Sequence, residues 1–250
     1  MQEVLASFNP ALFRGRHAVV CGASSGIGLA IAQGLAGLGA HVVAMGSSPA
    51  KLLAAGKQAA STGIRFEALD VRDAAAVKRF MDSVSAIDIL VNAQGIARPG
   101  AEWEEDEFLN VMDINLSSVF RLTMAARAQL QASRGSVVHI ASMLSYLADA
   151  QVPAYTASKS GILGLTRALA HRFGPSGIRV NAIAPGYHVT DMTARLHADP
   201  ADARRIAERA ALKRWGTVED LVGAAAFLCS PAAAFITGAV LAVDGGYHTG

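Results

Sequence analysis

The chain has 250 residues, 52% of them hydrophobic and 17% charged, with a formal net charge of +2. So apolar a composition excludes intrinsic disorder, because it buries far more surface than a disordered chain offers. It also speaks against nucleic acid as a partner, since no Lys/Arg cluster is dense enough to follow a phosphate backbone.

In chain order, the first apolar run is a strand at 17–21, followed by Gly22-Ala23-Ser24-Ser25-Gly26-Ile27-Gly28 and a helical pattern at 26–38. Glycines between a strand and a helix permit a tight turn and let the backbone approach a pyrophosphate, which the helix N-terminus attracts. Nucleotide binding is the reading this placement favours, and it makes Gly22, Ser24, Ser25, Gly26, Ile27 and Gly28 candidate cofactor residues.

A second strand at 41–45 runs into Gly46-Ser47-Ser48. A carboxylate there would bind the adenosine ribose and repel a 2′-phosphate. Ser47 stands in that region, with neither an acid nor an Arg beside it. The missing acid tilts the expectation slightly from NAD towards NADP, while no cation is expected to attract the phosphate.

The third strand, 64–69, ends at Asp70-Val71, and a helix follows at 74–84. The fourth, 87–92, ends at Asn92-Ala93-Gln94-Gly95. These residues fall on the edge where a doubly wound sheet binds its ligand. Asp70 suits an adenine amino group or, equally, a turn. The acidic run 102–107 decorates a helix start and is given no function.

Asn115 precedes a helix at 117–132, and Ser142 closes the fifth strand, 136–141. A helix at 154–173 places Tyr155 and Lys159 four residues apart, on one face. A phenol titrates near ~10, and an adjacent ammonium brings it towards the working range. The sixth strand, 178–183, leads to Pro185-Gly186. A long excursion at 187–214 reads as one or two short helices and is a candidate substrate lid.

From 221 to 243 no charged residue occurs, which raises the question of a membrane span. Pro231 and many small residues interrupt the stretch, so a buried helix at 221–229, a turn and a strand at 239–243 are expected instead. The N-terminal segment lacks the basic start and apolar core of a signal peptide, which points to a cytoplasmic protein. Cys21 and Cys229 lie in apolar surroundings and read as buried small side chains. The His residues show no zinc spacing, and no metal site is expected.

Continuous apolar strands alternating with amphipathic helices imply an α/β fold. The expected form is a doubly wound, seven-stranded parallel sheet with helices on both faces, in one domain spanning 1–250.

Taken together, Gly22-x-x-x-Gly26-Ile27-Gly28, Asp70-Val71, Asn92…Gly95, Asn115, Ser142, Tyr155-x-x-x-Lys159 and Pro185-Gly186 with Thr190 carry a resemblance. In this order the chain resembles the short-chain dehydrogenase/reductase family along essentially its whole length. The resemblance implies a Rossmann-type sheet and hydride exchange between NAD(P) and a secondary alcohol or ketone. Tyr155 would be the general acid/base. Lys159 would lower its pKa and hold the nicotinamide ribose, Ser142 would hold the substrate oxygen, and Asn115 would support a water-linked proton relay. Thr190 would meet the carboxamide. Two departures stand out: Cys21 where a Thr is usual, and Asn92-Ala93-Gln94-Gly95 where Asn-Asn-Ala-Gly is usual.

Within the family, residues 140–186 are most similar to the sugar-acid branch, the 2-deoxy-D-gluconate 3-dehydrogenases and gluconate 5-dehydrogenases. Arg98, His188, Arg195 or Arg214 could supply charge for a carboxylate, and Gln151 could meet hydroxyls or be a surface turn. The alternatives are a 3-oxoacyl-carrier-protein reductase, with a basic patch of Arg195, Arg204, Arg205, Arg209, Lys213 and Arg214, and a non-catalytic dinucleotide-binding protein. The family further implies a homotetramer in which 221–229 and 239–243 are buried between subunits, with no membrane or nucleic-acid partner.

Overall fold

Seven strands pair in parallel in the order β3-β2-β1-β4-β5-β6-β7. They are β1 (His17–Cys21), β2 (His41–Gly46), β3 (Arg65–Ala68), β4 (Ile89–Asn92), β5 (Ser136–Ile140), β6 (Arg179–Pro185) and β7 (Val240–Val243). The computed structural model describes residues 1–59 and 63–250. The central strands β4 and β5 are buried at every position, whereas β3 and β7, at the sheet edges, keep partly open side chains. A strand covered on both faces needs apolar residues consecutively, which is why these runs were readable.

The helices are α1 (Gln2–Leu5), α2 (Gly26–Gly37), α3 (Pro49–Gln58), α4 (Ala74–Ser83), α5 (Glu105–Met112), α6 (Ser118–Ala125), α7 (Arg127–Ser133), α8 (Pro153–Phe173), α9 (Ala194–Ala198), α10 (Pro200–Arg209) and α11 (Val222–Cys229). Successive strand residues point to opposite faces, so Val20 joins Ile31, Leu35, Ala225 and Leu228 from α2 and α11. Val19 turns the other way, to Met81, Leu122, Leu130 and Leu169 from α4, α6, α7 and α8. Burying each such Leu, Ile or Met contributes about 1.5–3 kcal/mol.

Two expectations change. The helix expected at 117–132 is broken into α6 and α7 and is continuous with α5 through a π-helical turn, Asp113–Ser117. The extra residue in that turn brings Asn115 inward, where its side chain is held by the backbone of Ile96. The uncharged stretch near the end does form a helix and a strand, but α11 is consumed inside the chain. Val222, Ala225, Ala226, Leu228 and Cys229 are buried by α2 and the sheet. Most of its apolar surface is thus covered within the chain, while Gly223, Ala224 and Phe227 stay partly open. No helix of the described residues is long and apolar enough to cross a membrane.

Candidate active site

The sheet order reverses between β1 and β4, and at the carboxyl ends of these strands lies a cleft of about 800 Å³. The turn after β1 forms one wall. Gly22 has φ +73°, and a Cβ there would stand 2.4 Å from the backbone nitrogen of Gln94. Only glycine fits a positive φ at so close an approach. At Gly26, also at positive φ, a Cβ would stand 3.6 Å from the Thr190 methyl group. Ser25 precedes α2 without capping it through its side chain, so the first-turn N–H groups of α2 remain available to an anion. Donor geometry and room here fit the diphosphate of a dinucleotide.

Of the residues expected at the site, the structure brings together Gly22, Ser24, Ser25, Gly26, Ile27, Gly28, Ser47, Asp70, Val71, Gly95, Ser142, Tyr155, Lys159, Pro185, Gly186 and Thr190 as cleft lining. Asn92 and Asn115 do not line it. Asn92 is 1% exposed, and its amide donates to Thr123 Oγ1 beneath the sheet, at 3.1 Å. Asn115 accepts from Ile96 N–H and donates to Ile96 O and Ser158 Oγ. Gly95 separates it from Lys159: a Cβ at Gly95 would stand 3.4 Å from Lys159 Nζ and 3.5 Å from Asn115 Oδ1.

Asp70 lines the cleft and takes the turn role, accepting from the backbone and guanidinium of Arg72. Its hydrogen bonds to Arg72 hold the carboxyl below its usual range. The helix cap that follows is supplied by Asp73 instead. At Cys21 the backbone ties the turn to β4 through Ala93 N–H, at 3.0 Å, without a side-chain hydroxyl. The altered Gln94 donates to Ser118 Oγ and helps form the wall.

At the catalytic-type end, α8 carries Tyr155 and Lys159 on one face, with Nζ 5.6 Å from the ring centroid. Lys159 is 3% exposed and donates to Ile140 O at 2.6 Å. Burial pulls its pKa down to about 8. For Tyr155 the direction is the reverse of the expectation. Burial pushes its pKa up, the Ser142 hydroxyl pulls it down, and the Glu102 carboxylate pushes it further up. Lys159 spends its charge on the Ile140 carbonyl rather than on the phenol. A phenol facing a hydroxyl inside a cleft, with an ammonium one turn along, can still move a proton to or from a bound oxygen.

Among the charge candidates, Arg98 and His188 line the cleft and Arg195 and Arg214 do not; nor does Gln151, the candidate for hydroxyl contact. His188 is 3% exposed, and burial lowers its pKa and so disfavours its charged form. Arg214 is engaged by Asp220 at 2.7 Å. Arg98 is thus the candidate that remains in place.

Three residues were missed. Lys51, in the first turn of α3, and Arg72 both line the cleft beside Ser47, so cations do stand at the adenosine end. The Ser48-Pro49 helix start was the readable signal for Lys51. Glu102 belongs to a 3₁₀ turn, Ala101–Trp103, before α5 and is buried rather than decorating a helix surface. The exposed carboxylates that follow, Glu105 and Asp106, do occupy the first turn of α5.

Fold and cleft define a nucleotide-dependent oxidoreductase, and the chain belongs to the short-chain dehydrogenase/reductase family. A family model described as enoyl-(acyl carrier protein) reductase matches residues 22–248. The chain is 38% identical to 2-dehydro-3-deoxy-D-gluconate 5-dehydrogenase of Escherichia coli (strain K12), covering 98% of each. It is 40% identical to gluconate 5-dehydrogenase of Gluconobacter oxydans (strain 621H), over 95% of this chain and 97% of that one. The 3-oxoacyl-[acyl-carrier-protein] reductase of Escherichia coli (strain K12) is 35% identical over 94% of this chain and 98% of that one. Among solved structures, a gluconate 5-dehydrogenase from Burkholderia cenocepacia J2315 in complex with NADP and tartrate superposes with a TM-score of 0.90. Identity there is 34%, covering 97% of this chain and 98% of that one.

Proposed function

We propose that this oxidoreductase interconverts a secondary alcohol and a ketone on a sugar acid of the gluconate type, with NADP as its preferred cofactor. The observation that carries the reading is the placement of Arg98 in the same cleft as Ser142, Tyr155 and Lys159. A guanidinium there supplies the charge-assisted grip that a carboxylate substrate needs. Similarity to gluconate-type dehydrogenases supports it as well.

In this reading Tyr155 moves the proton at the substrate oxygen and Ser142 holds that oxygen in line. Lys159 orients the nicotinamide ribose, Thr190 the carboxamide. Asn115 holds the loop at Gly95 and Ile96, and with it a water-linked proton path behind Lys159. Gly22 to Gly28, Asp70, Val71, Pro185 and Gly186 bind the rest of the dinucleotide. When bound, the nicotinamide supplies or accepts the hydride. The segment 187–214 serves as lid, its leading part from His188 to Thr193 lying on the cleft. We place the enzyme in the cytoplasm as a homotetramer. In support, Phe235 is fully exposed and Leu241 on the edge strand β7 is partly so.

NADP preference follows from Ser47, Lys51 and Arg72. Lys51 is paired with Asp191 of the lid at 3.0 Å, but both side chains are more than half exposed, and such a pair is weak enough to yield to a phosphate. Lys51→Ala is expected to lower kcat/KM with NADP by about tenfold and to leave the NAD value within about twofold. Equal losses with both cofactors would remove Lys51 from the 2′-phosphate.

The function is tested with a panel of aldonic acids, deoxyaldonic acids and 3-oxoacyl thioesters, following reduced cofactor by absorbance. Oxidation of sugar acids without acyl reduction is the expected result; the opposite pattern overturns it. The basic patch a carrier protein would need is mostly committed within the chain. Arg204 pairs with Glu208, Arg205 with Asp202 and Arg214 with Asp220, while Arg209 covers the Tyr247 ring.

A further inference from the structure

Glu102 is 1% exposed and has no Lys, Arg or His partner among the described residues. An isolated buried carboxylate is costly unless its oxygens are bonded and its charge is offset. Both conditions are met in a specific way. Oε2 accepts the backbone N–H of Tyr155 at 2.8 Å, and Oε1 accepts the backbone N–H of Arg98 at 2.7 Å. Tyr155 is the third residue of α8, a 21-residue helix that begins at Pro153. Its preceding residue, Val152, has no side chain able to cap it. Glu102 therefore supplies, from 53 positions away, the N-terminal cap and the negative charge that a helix start favours.

The neighbouring contacts make the same join. Gly100 N–H donates to Gln151 O at 2.8 Å, and Trp103 Nε1 donates to Ala150 O at 3.0 Å. The segment from Arg98 to Trp103 is thereby pinned along the entry to α8.

We propose that Glu102 is a positioning residue for the reaction: one carboxylate fixes the backbones of Tyr155 and Arg98 and so sets the spacing between proton transfer and substrate carboxylate. The proposal rests on the sugar-acid reading of the cleft for the part played by Arg98. The charge acts as well, because it opposes formation of a phenolate at Tyr155. The other groups facing Tyr155 are Lys159 on α8 and Ser142 after β5, while Arg98 and His188 line the same cleft. Glu104, Glu105 and Asp106, which follow, are exposed to solvent.

The test uses the full enzyme with E102Q and E102D, each checked for fold by circular dichroism and for NADPH binding. A small misplacement at the reacting centre costs on the order of 100-fold, so kcat/KM on the sugar acid is expected to fall about 10- to 100-fold in both variants. The two then separate. E102Q lacks the charge, and its pH midpoint for Tyr155 moves down by about 0.5–1 unit; E102D keeps the charge and the wild-type midpoint. Phenolate absorbance, taken as the difference between each enzyme and its Tyr155→Phe counterpart, reads that midpoint without any substrate. Wild-type turnover together with a wild-type midpoint in E102Q overturns the proposal. If the wild-type enzyme oxidises no sugar acid but the E102Q midpoint shifts, the substrate reading fails and the hold on Tyr155 stands.

Discussion

Tyr155→Phe is expected to lower kcat by about 10³-fold or more, general acid/base contributions being roughly 10²–10⁴-fold, while NADPH affinity stays within about twofold. The ring fills the same space, so the loss isolates the hydroxyl. It faces Ser142, with Lys159 Nζ 5.6 Å from the ring. Binding measured by NADPH fluorescence and turnover measured on the same preparation separate the two effects. Turnover within tenfold of wild type would mean that another group moves the proton.

Lys159→Met is expected to abolish turnover and at the same time to stabilise the protein at neutral pH. Burial takes the Lys159 pKa from 10.5 to about 8 in the folded chain. Between these values the unfolded chain holds a proton that the native one has released, so this group makes stability rise as pH climbs from 8 to 10.5. Below pH 8 both states are protonated, and the native state bears the whole cost of the buried ammonium. A gap of that size corresponds to about 3 kcal/mol at 1.36 kcal/mol per unit, and loss of the bond to Ile140 O returns part of it. The expected net gain for Lys159→Met is about 1–2 kcal/mol at pH 7, narrowing towards zero by about pH 10. Denaturant melts of both proteins at pH 7 and 9.5 check it. A variant less stable than wild type at pH 7, or an advantage that grows with pH, contradicts the assignment of that cost to Lys159.

The strands were legible because burial on both faces leaves short apolar runs, as at 18–21 in β1 and 89–91 in β4. The spacing of Tyr155 and Lys159 was equally plain, since one helix carries both. Side-chain direction was less so. Asn92 sits at the right strand end, but strand alternation turns its side chain away from the cleft. His188 looks like a cation in the sequence but is buried in the fold, which disfavours its charged form, because burial is a property of the folded neighbourhood. The π-helical turn at Asn115 leaves no periodic signature over five residues. Glu102 was hidden for a further reason: it stands in an acidic run whose other members are solvated, and its partner is 53 residues distant. Lys51 meets Asp191 across 140 residues, a contact that no local pattern encodes.

The contact of Gly22 with Gln94 joins backbone to backbone, and it reaches further than the turn it permits. No side chain lies between them to act as a cushion, so the loop after β1 cannot advance or withdraw without carrying the loop after β4. That second loop ends at Gly95, wedged between Lys159 and Asn115. The glycine turn and the proton-moving end of the cleft are therefore parts of a single stiff frame. A disturbance at residue 22 is felt as misalignment at the far end, and conformational adjustment on closing is left to the opposite wall, from His188 to Thr193.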